Sequence, residues 1–293
     1  MGLLRFNYRS LAIGKYIDIS IAYPTDMLSF VEDEETLNRI AFKPQPGDKF
    51  PYRPNMKFQT VYLIHGGGDD DSLTYRYTNA ERYAQEHCVM LVTPDISNTF
   101  GVNARYGISW QTFLSEELPK VVQGLFASSP KREDNFIMGY AMGANVALGT
   151  AVMHPELYHT CVDISGGIGM TLDTAKLKSE LEGDHFRYRM PLFNASFGPA
   201  EELEGSEFDL YNTAKKFKEE GRELSKFKII CGSKEFIRRR VEGDVAKLQE
   251  LEYDLEYIVA EGFDHNFDMW DTYIKYSLDN LLPLRNAPIY ENE

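Results

Sequence analysis

The sequence predicts an α/β fold, with a mainly parallel central sheet flanked by helices in a single domain over residues 1–293. Three observations carry this expectation. Short apolar runs alternate with helix-length amphipathic stretches along most of the chain. The central runs are apolar at nearly every position, as in strands covered on both faces. Most of those runs end in glycine or a polar turn, where open parallel sheets place their ligands.

The first strands are expected over 3–8 and 16–22, where Ile17, Ile19 and Ile21 alternate with polar residues. Residues 24–56 are loop-rich and proline-rich, with one short helix over 32–40. The run 61–64 leads into His65-Gly66-Gly67-Gly68, a helix follows over 75–86, and the run 89–92 ends in Thr93-Pro94-Asp95. The stretch 111–126 reads as a helix with Phe113, Leu114, Leu118, Val121, Val122 and Leu125 on one stripe, kinked by Pro119. The run 135–138 ends at Gly139 and is followed by a small-residue helix over 143–152. Three further runs, 160–164, 227–230 and 255–259, end in Ser165-Gly166-Gly167, Cys231-Gly232-Ser233 and Ala260-Glu261-Gly262, and a helix over 268–282 closes the chain. Residues 170–225 are charged and aromatic and break the rhythm, as expected of a cap insertion over the carboxyl edge of the sheet.

A composition of 43% hydrophobic and 26% charged residues is that of a globular domain. The net charge of −14 argues against nucleic acid and anionic membrane as partners. Cys88, Cys161 and Cys231 are too few and too scattered for a disulfide framework or a metal site, and read as buried thiols in a reducing compartment. No cofactor or metal is expected. Asp69-Asp70-Asp71 lacks metal-ligand spacing and reads as a solvated loop. Residues 1–23 show no signal pattern and no run has membrane-spanning length, so a cytoplasmic location is expected. Self-association into a homo-oligomer stays open.

The segment with most chemical content is Gly139-Tyr140-Ala141-Met142-Gly143. A strand enters a tight turn and a helix leaves it, with glycines two residues on either side of the centre. This is the frame of the nucleophile elbow, Gly-x-Ser-x-Gly, in which a strained central residue sits above a helix N-terminus that favours developing negative charge. The centre here is Ala141, which has no hydroxyl.

Leu63-Ile64-His65-Gly66-Gly67, Glu116-Glu117-Leu118-Pro119, the elbow, Phe197-Gly198 with Gly205-Ser206 and Asp209, Cys231-Gly232-Ser233 and Gly262-x-x-His265 occur in one order along the chain. This ordered set resembles the α/β-hydrolase esterases of the tributyrin esterase, feruloyl esterase and S-formylglutathione hydrolase (esterase D-like) group. The resemblance covers about residues 61–270. It implies an α/β-hydrolase fold and a carboxylic ester hydrolase acting through an acyl-enzyme, on short-chain acyl or acetyl and feruloyl sugar esters. Residue 141 matches the serine, His265 the histidine, and Glu235 the acid, where the group usually has Asp. Ala141 and Ala144 are departures from its pattern.

On this reading His265 is the general base, Glu235 orients it, and the amides of Gly67 and Met142 form the oxyanion hole. His65 is expected to brace its loop. Trp110, Tyr140 and Phe236 adjoin the site loops and are candidates for lining the pocket. Arg238-Arg239-Arg240 reads as an exposed helix face, with contact of one arginine to an anionic substrate as the alternative. Three accounts of Ala141 remain: an active esterase altered at one position, a natural non-catalytic relative that binds a small-molecule ester or a protein, and catalysis by another serine among Ser165, Ser196 and Ser233, none of which has the elbow frame.

Overall fold

The computed structural model describes residues 1–28, 31, 34–39, 46–183 and 190–290. Eight strands form one sheet: β1 (Gly2–Arg9), β2 (Tyr16–Tyr23), β3 (Thr60–Ile64), β4 (Met90–Pro94), β5 (Asn135–Tyr140), β6 (Thr160–Ile164), β7 (Lys226–Gly232) and β8 (Leu255–Ala260). Their order across the sheet is β1-β2-β4-β3-β5-β6-β7-β8. The β1–β2 and β2–β4 pairs are antiparallel and all the others parallel. Every residue of β3, β4, β5 and β6 is buried, which is why their sequences read as unbroken apolar runs.

The helices are α1 (Glu34–Arg39), α2 (Leu73–Tyr77), α3 (Ala80–Glu86), α4 (Trp110–Thr112), α5 (Leu118–Leu125), α6 (Met142–Met153), α7 (Thr174–Glu182), α8 (Met190–Phe197), α9 (Leu210–Glu219), α10 (Arg238–Glu250) and α11 (Phe267–Tyr276). Strand alternation divides the core into two layers. Val61 and Leu63 of β3 pack with Ala80, Tyr83 and Ala84 of α3 and Met269 and Ile274 of α11. Tyr62 and Ile64 face the opposite layer, with α5, α6 and α10.

Three elements differ from the sequence expectation. The helix expected over 75–86 is two, α2 and α3, broken where Thr78 Oγ1 donates back to Thr74 O and the Asn79 amide donates to Asp271 Oδ1 at 2.7 Å. Such local side-chain hydrogen bonds compete with helix continuation. The helix over 111–126 contains a π-turn, Phe113–Glu117, directly ahead of Pro119. Widening the helix there accommodates a residue that has no N–H to donate. Asp71 is buried rather than solvated: it accepts from Ser20 Oγ at 2.5 Å, and its carbonyl accepts from Thr93 Oγ1. Hydrogen bonding to β2 and β4, not hydration, satisfies it.

Between β6 and β7 the described chain forms α7, α8 and α9, while 184–189, within the cap predicted over 170–225, lie outside the described residues. Phe193, Phe197 and Phe208 of this segment turn inward, with Phe100 against Phe193 at 4.6 Å between ring centroids and Phe197 against Phe208 at 5.4 Å. Among the described residues, no helix is long and apolar enough to cross a membrane.

Candidate active site

β5 delivers the chain into the turn before α6 in a conformation that only close packing enforces. Ala141 has φ 51° and ψ −122°, left-handed backbone that costs a non-glycine residue on the order of 1–3 kcal/mol. Two hydrogen bonds hold it, from the Ala141 amide to Ile164 O at 3.0 Å and from the Ala144 amide to Ala141 O at 3.1 Å. The flanking glycines are sterically required. A Cβ on Gly139 would overlap the Gly143 carbonyl, and one on Gly143 would overlap the carbonyl oxygens of Ile64 and His65.

Ala141 opens onto a cavity of about 320 Å³ also lined by Gly67, Met142, Ser165, Phe236 and His265. The amides of Gly67 and Met142 donate to no protein acceptor among the described residues. Both belong to residues lining the cavity, and Met142 is the first residue of α6, so two N–H donors are left for an oxyanion. The loop carrying Gly67 is held from below: Asn98 Oδ1 accepts from the Gly68 amide at 3.2 Å. His65 is fully buried and accepts at Nε2 from the Ile96 amide, leaving Nδ1 to donate to Gly66 O at 2.8 Å. It braces this loop and has no face on the cavity.

His265 stands in the loop between β8 and α11, and its Nδ1 lies 3.2 Å from Glu235 Oε2. The carboxylate is wholly buried and the imidazole 22% exposed. A carboxylate can only accept here, so Nδ1–H donates to it, and in the neutral imidazole Nε2 carries the lone pair. Glu235 is held in turn by Ser165 Oγ, which donates to Oε1 at 2.5 Å, and by the Gly232 amide at 3.3 Å. Trp270 Nε1 donates to Ser165 Oγ at 3.3 Å, and the Trp270 ring meets the His265 ring edge-on at 5.1 Å.

The structure thus brings Ala141, His265, Gly67 and Met142 to one cavity and sets Glu235 behind His265. Phe236 lines it as well and is 72% exposed, its ring 5.4 Å from His265. Trp110 and Tyr140 do not line it. Trp110 is 1% exposed, buried in the core against Phe113. Tyr140, the last residue of β5, alternates to the far face, stacks on Trp270 at 4.9 Å and donates to Asp69 Oδ2 at 3.1 Å. Burial raises the Asp69 pKa, opposed by that hydrogen bond. Ser165, a candidate alternative nucleophile by sequence, instead donates to Glu235, and Trp270 has no sequence signal as part of this site. Ser165 carries the left-handed φ of 65° just after β6, in Ser165-Gly166-Gly167. Among the described residues no group of His, Cys, Asp and Glu converges as a metal site would require.

Comparison with known proteins finds esterases and related hydrolases. An acetyl esterase of Caldicellulosiruptor saccharolyticus is 22% identical over 232 residues, covering 76% of this chain and 86% of that protein. The substrate-bound structure of a fluorophosphonate-binding serine hydrolase, FphF of Staphylococcus aureus, superposes with a TM-score of 0.75 at 24% identity, covering 95% and 97% of the two chains. The S-formylglutathione hydrolase FrmB of the same organism superposes with a TM-score of 0.73 at 23% identity, with the same coverage. At these identities the structural likeness establishes the α/β-hydrolase fold. The Esterase family model matches residues 46–277, most of the chain and every residue of the cavity described above, and the chain belongs to that family.

Proposed function

We propose that the cavity is the ester site of a serine carboxylesterase whose nucleophilic hydroxyl is absent, so that the chain as it stands binds esters without forming an acyl-enzyme. The observation that carries this reading is the His265–Glu235 pair facing the same cavity as a strained, glycine-flanked residue 141 and two unused amides. With a hydroxyl at 141, the oxygen attacks the ester carbonyl and its proton passes to His265 Nε2. The Gly67 and Met142 amides take the oxyanion. The imidazolium returns the proton to the departing alcohol, and water then releases the acid by the same steps. Short acyl esters, and acetyl or feruloyl sugar esters, are the substrate classes expected.

The test is hydrolysis of p-nitrophenyl acetate and butyrate by this chain and by Ala141→Ser. Loss of such a nucleophile costs up to about a million-fold in turnover, so Ala141→Ser is expected to gain several orders of magnitude. A variant that folds and gains nothing defeats the reading. A second reading, a non-catalytic ligand- or protein-binding relative, is favoured by the alanine itself standing over an open cavity. An inactive Ala141→Ser that still bound a partner would select it.

A further inference from the structure

A second cavity of about 460 Å³ adjoins the first and shares Gly167, Ile168, Phe236 and Ile237 with it. Its other lining comes from α7 and α10, whose ionisable groups are unevenly matched. Glu180 and Arg240 form a buried ion pair across the two helices, and Arg240 Nη2 also donates to Gly169 O at 2.9 Å. The Asp173 carboxylate caps α7 by accepting from the Lys176 amide at 3.0 Å. Lys176 and Arg239 line the cavity, are exposed, and have no carboxylate partner among the described residues. The wall therefore carries three cations against two carboxylates, in a chain whose net charge is −14. A local excess of positive charge beside a cavity focuses anionic ligands against the overall field.

We propose that this second cavity receives a carboxylate carried by the ester, with Lys176 and Arg239 as its cations and the exposed Phe236 ring as the platform between carboxylate and scissile bond. The buried Arg240–Glu180 pair fixes the spacing of the two helices that present them. The proposal rests on the ester-site reading above and narrows it to anion-bearing esters.

The experiment uses the chain as it stands, because Ala141 lets an intact ester be titrated. Binding of 4-acetoxybenzoate and of its uncharged methyl ester is compared by calorimetry. The carboxylate is expected to bind about tenfold tighter, the scale of two solvent-screened charge contacts, and to lose that preference in about 0.5 M salt. Lys176→Ala with Arg239→Ala should abolish the preference, whereas Lys178→Ala, on the same helix but outside this cavity, should keep it. Equal affinity for the two compounds, or a preference that survives the double substitution, overturns the proposal. Hydrolysis of both compounds by Ala141→Ser is measured separately. Inactivity toward both counts against the ester-site reading, while the binding comparison decides the carboxylate site alone.

Discussion

Ala141→Gly isolates the strain stored at the elbow. Alanine at φ 51°, ψ −122° holds a conformation that glycine adopts without a Cβ penalty. Relief of that strain is worth about 1–3 kcal/mol. Two losses oppose it. Glycine adds about 0.5–1 kcal/mol of backbone entropy to the unfolded chain, and the partly buried methyl contributes roughly 0.5 kcal/mol of apolar burial. The expected balance is a gain of about 1 kcal/mol, or about 2 °C in Tm for a domain of this size. Equilibrium urea unfolding followed by far-ultraviolet circular dichroism measures it, with Ala141→Ser as a control expected to stay within about 0.5 kcal/mol of the parent. A loss of about 1 kcal/mol on Ala141→Gly would show that the turn is not strained against its side chain.

Three further outcomes are expected. Gly143→Ala should destabilise by about 3 kcal/mol or more in the same unfolding assay, because its Cβ meets two backbone carbonyls that cannot rotate away. Ser165→Ala removes a donor to buried Glu235 and the acceptor of Trp270 Nε1; stability should fall by about 2 kcal/mol, and in an Ala141→Ser background kcat/KM for p-nitrophenyl acetate should fall roughly tenfold. Asp163 is fully buried, and burial pushes its carboxyl up to about 7. The folded state then holds a proton that the unfolded chain releases near pH 4, so this group lowers stability as pH rises from there to about 7. Asp163→Asn, which keeps an acceptor for the Gly166 amide, should raise stability at about pH 8 by on the order of 2–4 kcal/mol and leave it little changed near pH 4, as read by thermal unfolding.

The parts of the site legible in the sequence were those written as backbone constraints. Gly139 and Gly143 frame the elbow because nothing larger fits, and the glycines after His65 mark a loop that exposes amides. His265 and Glu235 were legible through their position after strands, which chain order carries. Side-chain direction was less legible. Tyr140 and Phe236 each adjoin a site residue in sequence, yet strand alternation sends the first behind the sheet and the loop after β7 sends the second into the cavity. Trp110 failed for a related reason, since one helical turn decides which way a ring faces. Ser165 acts through a contact with Glu235, 70 residues away in the chain, that no local pattern announces. The inward packing of Phe193 and Phe197 depends on Phe100, equally remote.

The edge-on contact between Trp270 and His265 also has an optical consequence. The chain has two tryptophans, and Trp110 is sealed in the core while Trp270 borders the cavity. The intrinsic fluorescence of the protein therefore reports the arrival of a ligand beside Trp270 and His265.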